Sequence, residues 1–182
     1  MGIFPMGEED GSISWYEASP RAIMPVELPE HKLKIPRSLK QVLAKDLFEI
    51  RINTAFEAVI DHCSGRKPTW INSLIKNAYL DLFSRGYAHS LEAWQNNELV
   101  GGLYGVAYRG AFFGESMFRK VSNASKVCVV KLYEILKQNK YVLLDIQMMT
   151  SHFESFGAIE ISKVKYLELL ERAMDARCEF KF

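Results

Sequence analysis

The sequence has 182 residues, 48% hydrophobic and 12% aromatic, which is enough apolar side chain for one domain with its own core. Its 23 basic and 22 acidic residues leave a net charge of +1, excluding a global field for nucleic acid, so any RNA contact must rest on a local patch. Three scattered cysteines, Cys63, Cys128 and Cys178, argue against a disulfide framework or zinc site and fit a reducing cytoplasm, and no run approaches the ~18 apolar residues of a membrane span.

The first ~35 residues hold five of the six prolines and read as an irregular arm, 1–36, with room for short strands at 13–16 and 21–24. A helix is expected over 37–45 and an alternating strand, LFEIRIN, over 47–53. Thr54 and Glu57 have capping-box spacing and should open a helix to about Cys63. Thr69 should cap the next helix, 70–85, which Gly86 closes. AHSLEAWQ, a turn at Asn96-Asn97, ELVGGLYGVAYR and AFFGESMF then form an antiparallel meander. An amphipathic helix over 123–139 leads to KYVLLDIQ, apolar enough to be a central buried strand. Helices near 149–156 and 162–172 follow, with a short strand around 158–160 between them. The whole predicts an α+β domain over 37–182, with a mostly antiparallel central sheet flanked by helices. The order of elements matches that of GNAT-type acyltransferases.

Seven strings occur in order: TWI, AHSLEAW, ELVGGLYGV, FFGESMF, NASK, LLDIQ and SFGA. Together they resemble the leucyl/phenylalanyl-tRNA–protein transferase family, and the likeness spans nearly the whole chain. The arm agrees through GIFPM and SPRAI, but Met6 and Tyr16 stand where the family has tryptophan, so specificity is expected to depart before activity does. Family members commonly carry a further segment upstream of GIFP that this sequence does not include, which makes it resemble a short form.

The resemblance implies aminolysis: the α-amine of an acceptor protein attacks the ester carbonyl of an aminoacyl-tRNA, with no cofactor and no metal. It also implies acceptors that begin with Arg or Lys, and a role in marking proteins for degradation. The chemistry needs a neutral amine, positioning, and stabilisation of the tetrahedral intermediate. Resemblance places the catalytic pair at Asp145 and Gln147. Two positions apart on a strand, they should face the same side; on spacing alone they equally read as a strand ending at the surface. Asp145 is expected to orient and deprotonate the amine, Gln147 to hydrogen-bond the amine or the reacting carbonyl, and Asp145→Ala and Gln147→Ala to lower transfer with the fold intact. Glu115, beside Gly114, is a candidate for holding the cationic acceptor terminus.

Resemblance puts Leu103, Phe112, Met117, Val129 and Leu132 around an aminoacyl pocket, although their spacing is also that of ordinary core. Flexible Met117 suits Leu, Phe and Met side chains alike. Trp70 and Tyr79 match aromatics near the terminal adenosine, where stacking is the natural role. Lys32, Lys34, Arg37, Lys40 and Lys45 form the candidate tRNA phosphate patch, extended by Arg66, Lys67, Arg119 and Lys120; a solvated helix face reads the same way. His89 is expected to support the fold. The partners implied are aminoacyl-tRNA, through its 3′ end and acceptor stem, and a protein N-terminus, with no membrane; the sequence leaves the oligomeric state open, with a monomer expected. Rival readings are a non-catalytic binding module and a GNAT acetyltransferase using acetyl-CoA; the loop RKVSNAS, without glycine, disfavours the latter.

Overall fold

The computed structural model describes residues 2–27 and 33–182; His31 and Lys32 lie outside the described residues. The fold is α+β. Chain order is β1 (Ile3–Gly7), β2 (Ile13–Glu17), β3 (Arg21–Pro25), α1 (Arg37–Ala44), β4 (Glu49–Ile52), α2 (Phe56–Ser64), α3 (Ser73–Ser84) and β5 (Ala88–Gln95). Then come β6 (Glu98–Tyr108), β7 (Ala111–Arg119), α4 (Ala124–Gln138), β8 (Leu143–Gln147), α5 (Ser151–Glu154), β9 (Ile159–Ile161) and α6 (Lys163–Asp175).

Seven strands form one sheet in the order β4-β5-β6-β7-β8-β3-β9. Every pairing is antiparallel except β7 with β8, which α4 connects as a crossover. The meander forms as its alternation predicts, and Asn96 and Asn97 both take positive φ at the β5–β6 turn. β8 is central, as its apolar run requires. Part of the segment read as an arm is built into the same sheet: β3 lies between β8 and β9. β1 and β2 form a separate two-stranded sheet.

Helices cover both faces. On β6, Val100 and Leu103 belong to the core shared with α1 and α4, whereas Leu99 and Tyr104 pack with α2 and α3. A third cluster joins Ile23, Ala111 and Leu143 to Tyr166, Leu169 and Ala173 of α6. Gly101 lets α4 approach closely, since a Cβ there would stand 2.5 Å from that of Ala124.

Two helix starts differ from expectation. Thr54 does not cap α2; its N–H and hydroxyl, with the N–H of Ala55, donate to the fully buried carboxylate of Glu92 on β5. Ser90 Oγ and Trp94 Nε1 donate to the same group, so a carboxylate from the sheet satisfies the helix start that the local Glu57 was expected to serve. α3 begins at Ser73, later than Thr69 predicts, because Asn72 Oδ1 accepts from Ile75 N (3.0 Å). The Asn72 amide also donates to the carbonyls of Gly11 and Ser12 and ties the β1–β2 hairpin to α3.

Candidate active site

Asp145 sits on β8, fully buried, and both carboxylate oxygens are saturated. Oδ1 accepts from Arg21 Nε (2.9 Å) and Gln147 N (2.8 Å). Oδ2 accepts from Arg21 Nη2 (2.7 Å) and Tyr166 OH (2.7 Å). Burying such a charge demands this degree of pairing. Arg21 is itself 3% exposed and lies between the rings of Phe4 and Tyr166, 5.0 and 4.8 Å from their centroids. Burial works against its charge, but the bonds and charge of Asp145 prevail and hold its pKa above the ordinary value. Burial, followed by the charge of Asp145, raises the Tyr166 phenol.

Gln147 does not share a face with Asp145 in the way strand alternation predicts. Its φ is +64°, a left-handed conformation that is costly for a residue with a Cβ. That geometry lets its N–H close onto the Asp145 carboxylate, while its side chain turns into a pocket where Nε2 lies 3.4 Å from Glu115 Oε2. Two register shifts converge here. Opposite β3, Ala22 pairs with Gln147 and Ile23 with Asp145, leaving Ile146 as the extra residue. Opposite β6, Tyr104 pairs with Ser116 and Gly105 with Gly114, so Glu115 is the bulged residue of β7. A bulge redirects a side chain out of the alternation, and here it aims a carboxylate at the pocket.

Burial raises the pKa of Glu115 from its ordinary 4.5 to about 7; hydrogen bonding from Tyr79 opposes this, and the negative charge of Asp145 adds to it. The group therefore titrates near neutrality. The pocket measures about 280 Å³. Glu115 and Gln147 stand on one side of it, and apolar side chains including Met24, Leu144 and Ile146 make up most of the rest.

Among the residues expected around an aminoacyl group, Leu103, Met117, Val129 and Leu132 line this pocket. Phe112 does not; its ring is wholly buried, 5.6 Å from that of Phe180. Trp70 lines the pocket, and its carbonyl accepts from Gly7 N, which brings the β1–β2 hairpin carrying Met6 and Tyr16 alongside. Tyr79 departs from the stacking role: it is 5% exposed, edge-on to Tyr104 at 5.2 Å, so neither face is open to a base. Lys34, Arg37, Lys40 and Lys45 are exposed on and around α1 and line none of the pocket. His89 contacts Asn53 (Nδ1 to Nδ2, 3.0 Å) and stacks on Phe180, and burial lowers its pKa to about 4. Arg21 and Tyr166 are the partners that sequence reasoning missed; SPRAI contains Arg21, but nothing local connects it to β8.

The sequence profile of the family described as leucyl/phenylalanyl-tRNA protein transferase matches residues 27–171. A relative named leucyl/phenylalanyl-tRNA–protein transferase from Herpetosiphon aurantiacus is 45% identical over 179 residues, 98% of this chain and 92% of its own length. Relatives of the same name from Nitrobacter winogradskyi (44% identical, 98% and 80% covered) and Rubrobacter xylanophilus (45%, 95% and 89%) agree. With the match running through both the strand that carries Asp145 and the bulge that carries Glu115, the chain belongs to the leucyl/phenylalanyl-tRNA–protein transferase family.

Proposed function

We propose that the protein transfers leucine, phenylalanine or methionine from charged tRNA to the N-terminal α-amine of proteins beginning with Arg or Lys. It does so in the cytoplasm, on a GNAT-like scaffold, and marks those proteins for degradation. The observation that carries this reading is an apolar pocket with an ionisable carboxylate and an amide on one side, Glu115 and Gln147. The aminoacyl side chain occupies the apolar part, which leaves its ester carbonyl near the polar pair.

Glu115, with a pKa of about 7, pairs with the incoming ammonium and accepts one of its protons. The neutral nitrogen attacks the ester carbonyl. The tetrahedral intermediate then collapses, its C–O bond to the ribose breaks, and a second nitrogen proton passes to the departing ribose oxygen. Gln147 orients the amine or the carbonyl, because its backbone is pinned by Asp145. Asp145 has no lone pair left for the substrate and works as a positioning residue, through Gln147 and Arg21.

The deciding experiment is transfer from radiolabelled Leu-, Phe- and Met-tRNA to peptides beginning with Arg, Lys, Asp, Glu or Ala. Label on the Arg and Lys peptides is expected. Label on none, with folded protein, would sink the reading in favour of a binding module. In the same assay, Met117→Ala should weaken use of large apolar amino acids by at most about 2–5 kcal/mol, the range for buried truncations. Unchanged selectivity among the three tRNAs would remove Met117 from the pocket.

A further inference from the structure

A second cavity, about 800 Å³, adjoins the apolar pocket and shares Arg66, Met117, Thr150 and His152 with it. Arg119 and Lys120 reach it from the end of β7, and Lys126 from the first turn of α4. Among the described residues no carboxylate lines it, and none of these four cations forms a salt bridge. Arg66 is fixed at the junction of the two cavities, donating to Cys63 O (3.3 Å) and Ser116 Oγ (2.8 Å). α4 starts without a side-chain cap from Asn123, and its Ser125 and Lys126 line the cavity, so the positive end of the helix adds to the field. Burial first, then Lys120 for His62, or Lys126 and Arg119 for His152, hold both below the ordinary imidazole value. His152 Nε2 is buried with no partner among the described residues.

Four unpaired cations in a concave site are a poor arrangement for stability, since like charges repel. They fit a polyanion. We infer that this cavity holds the phosphodiesters of the RNA strand whose 3′-terminal aminoacyl group enters the apolar pocket, with Arg119, Lys120 and Lys126 on the phosphates and Arg66 at the junction. The inference rests on the transferase reading, in which the ribose sits at the pocket mouth and its phosphates must follow next. Of the cations grouped from sequence, Arg66, Arg119 and Lys120 stand here, whereas Lys34, Arg37, Lys40 and Lys45, exposed on and around α1, line neither cavity. Phosphate contacts position a strand without reading its sequence.

The test combines Arg119→Gln, Lys120→Gln and Lys126→Gln in the full chain. The probe is a fluorescent, uncharged RNA hairpin ending in a single-stranded CCA tail, titrated by anisotropy across a range of salt. Affinity should fall by roughly 10- to 100-fold. The salt slope should become shallower by about 0.7 for each phosphate contact removed. Unchanged affinity and slope would overturn the inference. Transfer from 3′-O-aminoacyl-adenosine, which has no phosphodiester, is expected to be the same for variant and parent. A loss there equal to the loss with aminoacyl-tRNA would assign these cations to chemistry or folding and overturn the inference as well. A parent protein that binds the hairpin through these cations but transfers from neither donor would overturn the reaction and leave the RNA site standing.

Discussion

Asp145→Ala is expected to lower unfolding free energy by about 3–5 kcal/mol, because it leaves the Arg21 guanidinium buried and unpaired. The side-chain change also strips the acceptor from Tyr166 OH and Gln147 N. Urea denaturation measures the loss, and a change within about 1 kcal/mol, the scale of an exposed pair, would show that the pair does not anchor this region. The sequence alone led to the expectation that this variant leaves the fold intact, and the buried ion pair revises it. Transfer should also collapse under conditions where the variant remains folded, since Gln147 loses the bond that holds its left-handed backbone. Arg21→Met combined with Asp145→Leu separates the two effects. Replacing both charges with apolar groups should recover much of the stability, yet transfer should stay low. Near-normal turnover in either variant would remove Asp145 from the mechanism.

Glu115→Gln should cut transfer at neutral pH by roughly 10²- to 10⁴-fold, the usual contribution of a positioned proton acceptor. The parent should show an acid limb in kcat/KM near pH 7 that the variant lacks. Stability supplies an independent readout. The folded-state pKa of about 7 lies above the ordinary 4.5, so the folded chain holds this proton more tightly than the unfolded chain. Stability therefore falls as pH rises through that window and is flat on either side, by up to about 3 kcal/mol. Glu115→Gln removes the slope. Identical pH profiles of stability for parent and variant would mean that Glu115 ionises as freely as it does in the unfolded chain, and the proposed proton transfer would lose its basis.

The meander and the central position of β8 were legible because they depend on local patterns: alternation, an Asn-Asn turn and an apolar run. The residues that build the site were legible as residues, but their geometry was not. Asp145 and Gln147 sit two apart on one strand, and period-two reasoning gives them one face. The register shift at Ile146, which appears only on pairing with β3 far away in sequence, and the positive φ of Gln147 break that period. Glu115 is redirected by a bulge that no local signal announces. Glu92 reads as one residue of an alternating strand, yet it closes the start of α2, where Thr54 and Glu57 had every local credential. Tyr79 shows the reverse case: an aromatic that resemblance marked for a ligand is buried in the core, edge-on to Tyr104.

The bond from Arg21 to Asp145 closes a span of 124 residues. Contacts that distant form only after the intervening chain has arranged itself, because the entropy of closing the loop is lost before the contact repays it. β3 is made early but must wait for β8 and β9, among the last strands to be made, before it has neighbours. The strands β4 to β7 pair locally and need no such delay. Tyr166, which completes the shell around Asp145, emerges later still, on α6. The clamp around Asp145 is thus completed after the strands that carry Leu103, Glu115 and Met117, and a chain still short of α6 during synthesis carries the pocket's residues without the clamp that aligns them.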